Sequence, residues 1–188
     1  MEGTMEDIDK DILTRASQGD MQAFEEMYKA SSSFVYNVAY RVTSNREDAM
    51  EVSQEVFMVI YHKLKTFRFE SSFKTWAYRI TANTAINFAK KNSRVKNVPF
   101  EESWGEGAVL NEAHKKLENE AKSQRVQELL GTLNPDQRAC VVLRDIQGLS
   151  YEEIAKTLDI NINTVRSRLK RSREKLLSLR KTMNYEKV

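Results

Sequence analysis

The chain has 188 residues, 40% of them hydrophobic and 30% charged, which suits one domain of ordinary size or two small ones. One cysteine, Cys140, excludes an internal disulfide framework, and with only His62 and His114 beside it no protein-held metal site is expected; six glycines and two prolines are too few for an all-β chain of tight turns. The net charge is only +3, the start from Met1 to Asp11 is acidic, unlike a targeting segment, and no apolar run approaches the roughly 18 residues of a membrane span, so no membrane insertion is expected and the location is expected to be cytoplasmic; with no Gly-rich phosphate loop either, neither a cofactor nor catalysis is expected.

Gly19-Asp20 is a stop followed by an N-cap, and a helix is expected from Met21 with Phe24, Met27 and Tyr28 facing inward. A separate helix is expected from about Phe34 to Val42. From Arg46 to Phe67 the apolar positions Ala49, Val52, Val56, Val59 or Ile60, Leu64 and Phe67 step by three and four, one stripe along a helix of roughly 30 Å. Opposite that stripe lie Asp48, Glu51 and Glu55, with Gln54 and Met58 beside them, an acidic surface suited to a protein partner and repelled by DNA. The next helix, Phe73 to Lys91, buries Phe73, Trp76, Ala77, Ile80, Thr84 and Phe88 and carries Arg79, Asn83, Ile86 and Lys90 on one flank, with Asn87 adjoining. That basic, amide-bearing flank suits phosphates and base edges. Phe67, Phe69 and Phe73 are placed to bound a pocket for an unstacked base, although Phe67 and Phe73 also fit the core.

Between Asn92 and about Glu120 the periodicity lapses around Pro99, Gly105 and Gly107, an acidic linker in which Phe100, Trp104 and Leu110 stand out. The helical period resumes from Arg125 through Val126, Leu129, Leu130 and Leu133. Asn134-Pro135-Asp136-Gln137 combines an N-cap, proline at the first helical position and Gln three residues on, the start of a helix through Ile146. Gly148 ends it, and Ser150 with Glu153 forms a capping box for a helix whose inner face is Ile154, Ala155 and Leu158. After a short break, Asn163 is expected to cap a last helix with Val165, Leu169, Ser172, Leu176 and Leu179 inward.

Two helices around a tight turn form a helix-turn-helix. The second carries Arg166, Ser167, Lys170, Arg171 and Arg173 on its remaining surface, with Arg168 and Lys175 on a flank, and Asn163 to Lys181 holds eight bases against one acid, Glu174. A solvated helix needs charge but not one sign, so this helix is expected in the major groove, where Arg pairs with guanine or phosphate. Charge is segregated throughout: Met1 to Phe57 nets −7, Met58 to Phe100 +8, Glu101 to Gln124 −3 and Arg125 to Val188 +5. Two basic blocks separated by acidic ones imply two surfaces that meet a polyanion and at least one that must not.

These residues give the chain a resemblance, over nearly its whole length, to bacterial sigma factors of the extracytoplasmic-function class. Glu47-Asp48-Ala49 followed by Gln54-Glu55-Val56-Phe57 resembles the family's polymerase-clamp helix. Phe67-Arg68-Phe69-Glu70-Ser71-Ser72-Phe73-Lys74-Thr75-Trp76 running to Tyr78-Arg79-Ile80 and Asn83 is similar to the loop and helix that open and read the minus-ten element. Asn134-Pro135-Asp136-Gln137-Arg138, Leu149 through Ala155, and Thr164-Val165-Arg166-Ser167-Arg168 resemble the domain that reads the minus-thirty-five element. Two departures stand out: Asn161 and Asn163 replace the family's usual Pro and Gly, and Phe69 stands where a Gly commonly follows Phe-Arg, which bears on the loop's backbone shape.

The resemblance implies an all-α fold of two small domains on a flexible linker: 1–91 for core polymerase binding and minus-ten melting, 92–120 as the acidic linker, and 121–188 as the helix-turn-helix domain. It implies core polymerase contacts at Asp48, Glu51, Gln54, Glu55 and Met58, and minus-ten contacts at Phe67, Arg68, Phe69, Ser71, Ser72, Lys74, Arg79, Asn83, Asn87 and Lys90. Upstream contacts fall at Thr164, Arg166, Ser167, Arg168, Lys170, Arg171 and Arg173. The implied partners are core RNA polymerase, promoter DNA and an anti-sigma factor, often membrane-held, in a stress or envelope response. A stand-alone helix-turn-helix regulator is the rival; a second, basic surface on the first domain argues against it.

Overall fold

The computed structural model describes residues 8–95 and 123–185, whose regular elements are all helices, with no strand among them. Phe100, Trp104, Leu110, His114 and the acidic stretch between 96 and 122 lie outside the described residues. Helix α1 (Lys10–Ser17) starts where Asp9 accepts from the Asp11 N–H. Gly19, at φ +97°, turns the chain, and Asp20 caps α2 (Met21–Thr43) by accepting from the Gln22 and Ala23 N–H groups. Arg15 reaches across the turn to Asp20 at 2.8 Å.

Helix α2 is one unbroken element, where the sequence pattern suggests a separate helix from Phe34. The serines at 31–33 mimic a break, but the buried Ser31 hydroxyl donates to the Met27 carbonyl at 2.7 Å and costs the helix little. Ser44, left-handed at φ +59°, ends α2, and Asn45 caps α3 (Arg46–Lys63). The expected apolar stripe is present: Ala49, Val52, Val56 and Ile60 are fully buried, and the Val and Ile side chains each contribute on the order of 1.5–3 kcal/mol on leaving water. The last turn before Phe67 tightens into a 3-10 turn, Leu64–Thr66, so α3 stops a turn earlier than the pattern suggests.

Helix α4 (Phe73–Val95) runs a turn beyond Lys91 and is buried on more of its circumference than one stripe explains. It packs on α2 and α3 and also on α6 and α7 of the second domain, so Tyr78, Thr81, Ala82, Ala85 and Ile86 are buried while Trp76, Ile80, Thr84 and Phe88 are only partly so. Ile86 therefore belongs to the packed interior rather than to the exposed flank expected for it.

Residues 123–131 form α5. Asn134 caps α6 (Pro135–Val141) by accepting from the Gln137 N–H at 2.9 Å. The helix expected to reach Ile146 widens instead into one π turn, Val142–Ile146, closed by the Gln147 N–H on the Val142 carbonyl at 3.0 Å. Gly148, at φ +77°, turns into α7 (Tyr151–Leu158), whose capping box between Ser150 and Glu153 forms as expected. Asp159 ends α7 in the left-handed region, and α8 (Ile162–Tyr185) follows. Asn161, not Asn163, serves the start of α8: its side-chain oxygen accepts from the Asn163 N–H at 2.8 Å.

The two domains share one apolar cluster rather than two separate cores. Among the described residues, polar bonds cross between them. Tyr78 Oη donates to Gln147 Oε1, Asn83 Nδ2 to the Thr157 carbonyl at 3.0 Å, and Gln127 Nε2 to the Tyr40 carbonyl at 2.8 Å. Arg138 donates to the Val42 carbonyl at 2.9 Å, and Lys90 pairs with Asp136 at 2.8 Å.

Candidate nucleic-acid and partner interfaces

On α3 the turns that bury Val52, Val56 and Ile60 leave Glu51, Gln54 and Glu55 exposed and Met58 64% exposed. Asp48 stands apart from this face, because its carboxylate accepts from Asn92 of α4 at 3.3 Å while its N–H is bound by Asn45. Beside the acids, α2 and α3 enclose a groove of about 710 Å³ lined by Phe24, Tyr28, Tyr36, Met50, Met58 and Tyr61. Its aromatic rings pair as Tyr28–Phe57 at 4.5 Å and Phe24–Tyr61 at 5.2 Å between centroids. Tyr28 is 45% exposed, so it lines this groove instead of the core expected for it. The groove was legible as a surplus: Met50, Met58 and Tyr61 are apolar positions lying off the buried stripe.

The segment before α4 gathers its aromatics. Phe73 is buried, Phe67 half-buried and Phe69 at the surface, with ring centroids 4.9 Å apart for Phe67–Phe69 and for Phe67–Trp76. Phe69 has φ +57°, the left-handed conformation for which glycine is the natural residue, so the loop keeps the glycine-like backbone despite the side chain. The ring is steadied by Phe67 and by the Lys10 ammonium 5.2 Å from its centroid. Arg68 and Ser71 are exposed and Lys74 half-exposed, whereas Ser72 is occupied as a cap, its hydroxyl accepting from the Thr75 N–H at 3.1 Å.

Along α4, Arg79 and Asn87 are exposed. Asn83 and Lys90 are engaged by the second domain, Asn83 on the Thr157 carbonyl and Lys90 on Asp136.

On α8, Val165, Leu169 and Ser172 face inward, which turns Arg166, Ser167, Lys170 and Arg171 to the surface. Arg166 donates to Asn163 Oδ1 at 3.0 Å, and Lys170 has Glu174 one turn on at 3.9 Å. Thr164 is half-buried. Arg168 pairs with Asp136 at 3.1 Å and Arg173 with Asp145 at 2.8 Å; the hydrogen bond to Asp145 raises the Arg173 pKa. Four cation or hydroxyl groups thus lie open on one helix face, while two of the expected cations are bound to carboxylates of the same domain.

Two residues whose anchoring role the sequence patterns do not reveal hold these surfaces in place. Arg138, 7% exposed, stands at the head of an apolar run and donates to the carbonyls of Leu130, Gly131, Leu133 and Val42, closing the C-terminal ends of α5 and α2. Lys175 donates to the Thr132 carbonyl at 2.6 Å. Burial raises the Cys140 thiol to about 11, so it is protonated and inert at neutral pH. Among the described residues no cluster of His, Cys, Asp or Glu has the makings of a metal site, and no helix is long and apolar enough to cross a membrane.

The pair α7 and α8 is a helix-turn-helix whose second helix bears open cations, the fold of a DNA-binding protein, and an apolar groove edged by acids lies on the other domain. Residues 27–95 match the family model for sigma-70 region 2, and residues 123–176 match that for sigma-70 region 4. The ECF RNA polymerase sigma-E factor of Haemophilus influenzae is 35% identical over 176 residues, covering 88% of this chain and 92% of that protein. The Escherichia coli sigma-E factor is 33% identical over 175 residues, covering 88% and 91%. The ECF sigma factor SigE of Mycolicibacterium smegmatis is 31% identical over 160 residues, 85% of this chain but only 62% of that longer protein. Among solved structures, CnrH in complex with the cytosolic domain of CnrY is similar at a TM-score of 0.65 with 23% identity, over 93% of this chain and 97% of that one. RpoE of Bartonella quintana in complex with the anti-sigma factor NepR is similar at 0.64 with 24% identity, over 85% and 98%. The chain belongs to the ECF family of RNA polymerase sigma factors. Its function is that of a sigma factor in transcription initiation, and the match to region 2 leaves a stand-alone helix-turn-helix regulator unsupported.

Proposed function

We propose that the face of α3 formed by Glu51, Gln54, Glu55 and Met58, with Asp48 at its end and the adjoining aromatic groove, docks on core RNA polymerase. Residues 1–91 then bind polymerase and melt the minus-ten element, 92–120 serve as the acidic linker, and 121–188 read the upstream element. Strand opening uses Phe69, Arg68, Ser71 and Lys74 of the loop with Arg79, Asn83, Asn87 and Lys90 of α4; Phe67 and Ser72 hold the loop's shape. Upstream recognition uses Arg166, Ser167, Lys170 and Arg171, with Thr164, Arg168 and Arg173 reaching phosphates. The chain supplies recognition and the polymerase supplies the chemistry, so it acts in the cytoplasm without catalysis of its own. It serves a stress or envelope response under an anti-sigma factor, in keeping with its fold likeness to a sigma factor solved with one.

The observation that carries this reading is the separation of signs: an acidic face with an apolar groove on α3, and open cations on α8. The test is promoter-directed transcription by core polymerase and the purified chain. Glu51→Lys with Glu55→Lys should abolish co-purification with polymerase while leaving the chain folded. Asn83→Ala should support polymerase binding but reduce permanganate reactivity of thymines near the start site. Undiminished polymerase binding by the charge-reversed chain would overturn the docking face.

A further inference from the structure

One carboxylate holds together cations that the proposed function assigns to two different DNA elements. Asp136 lies in the first turn of α6. Lys90 Nζ of α4 approaches its two oxygens at 2.9 and 2.8 Å, and Arg168 of α8 lies 3.1 Å from one of them. An anion bracketed by a lysine and an arginine is the geometry of a bound phosphate. Lys90 belongs to the first domain and Arg168 to the second, so a single carboxylate serves both only while the domains are closed. The same closure engages the Asn83 amide on the Thr157 carbonyl. It also buries Tyr78, whose phenol is raised to about 12 by burial and donates to Gln147.

We propose that Asp136 is an internal stand-in for a DNA phosphate: a latch that closes the free chain by itself and withholds Lys90, Arg168 and Asn83 from DNA until the domains part. The chain then needs no inhibitor to be closed, and any partner that clamps it stabilises a state the fold already encodes. Because the latch is made of ion pairs between half-exposed groups, salt weakens it. Polyanions compete for its cations. Closure lowers the apparent DNA affinity of the free chain by the fraction of molecules that are open. The occlusion rests on the proposed DNA roles of Lys90, Arg168 and Asn83; the closure does not.

Three measurements on the full chain test this. Carbodiimide, which joins a lysine to a carboxylate only at ion-pair distance, should yield a Lys90–Asp136 amide detectable by mass spectrometry, and its yield should fall when core polymerase is added. Asp136→Asn should enlarge the radius of gyration in X-ray scattering and raise the affinity of the free chain for promoter DNA by roughly three- to tenfold, with Asp136→Lys going further. Glu152→Gln, which removes an exposed acid from the first turn of α7, controls for a general gain of positive charge and should leave the size unchanged. No Lys90–Asp136 product, together with unchanged dimensions of the Asp136 variants, overturns the latch. Expanded variants whose DNA affinity stays at the wild-type value leave the latch standing but overturn the occlusion, and with it the DNA roles assigned to Lys90 and Arg168.

Discussion

Replacing Arg138 tests whether a single buried cation holds the ends of two helices from different domains. Its Nε donates to the Leu130 carbonyl at 2.7 Å, one terminal nitrogen to Val42 at 2.9 Å, and the other to Gly131 and Leu133 at 3.0 and 2.8 Å. Arg138→Met preserves the stem's packing but strands these acceptors. Bonds to a charged group contribute about 1.5–3 kcal/mol each, and the exposed Gly131 can regain water, so the expected loss is about 3–5 kcal/mol. For a chain of this size that lowers the melting temperature by about 6–20 °C. Arg138→Lys keeps the charge but gathers its donors at one point, which cannot span Val42 and Leu133 together, and should lose about half as much. Burial lowers the Arg138 pKa to about 10, so the guanidinium stays charged at neutral pH and the gap between wild type and Arg138→Met should be constant between about pH 6 and 8. Urea and thermal unfolding followed by circular dichroism measure all three proteins. A loss below about 1 kcal/mol for Arg138→Met would refute the reasoning.

Arg166→Ala and Arg171→Ala should each cost about 1–3 kcal/mol of upstream-element affinity if the side chain reads a base; a phosphate contact would instead weaken all sequences alike and flatten the salt dependence, and fluorescence anisotropy separates the two. Phe69→Gly and Phe69→Ala both remove the ring, but only glycine relieves the left-handed backbone, so thermal unfolding should find Phe69→Ala less stable than Phe69→Gly by about 1 kcal/mol, and equal stabilities would contradict the conformation at that position. The Asp20 carboxyl is held low chiefly by the Ala23 N–H and then by Arg15, and Glu153 by the Ser150 N–H. Because the folded chain binds these protons less readily than the unfolded one, their stabilisation is complete above the ordinary carboxylate pKa of about 4 and is lost as the pH falls through the lower folded values. Asp20→Asn combined with Glu153→Gln should therefore flatten the acid limb of a stability–pH curve, and an unaltered limb would place the acid sensitivity elsewhere.

Local signals in the sequence determined a large part of this protein. Caps are interactions between near neighbours, which is why Asp20 before α2, Asn134-Pro135 at α6 and the Ser150–Glu153 box are legible without a structure. The stripe Ala49, Val52, Val56 and Ile60 is legible for the same reason, since a helix converts spacing directly into a face. Serine hydroxyls can bond backward along a helix as easily as they cap one, so the serines at 31–33 disguised the continuity of α2. Asn161 and Asn163 offer the same chemistry two residues apart, and only the backbone geometry decided which of them receives the N–H.

Tertiary structure decided what depends on contacts across long stretches of chain. Periodicity predicts that a face is buried but not how many neighbours bury it, so the second packed surface of α4, with Ile86 and Tyr78, followed only from its contact with α6 and α7. The purpose of Arg138 was likewise hidden, because three of its four acceptors are carbonyls that every residue possesses at the end of one helix and the fourth lies 96 residues away. Charge patterning identified Lys90 and Arg168 as cations for a polyanion, yet a composition gives each charge no partner. The closed packing of the domains placed both of them on Asp136, 46 and 32 positions distant, and so made an internal carboxylate their occupant.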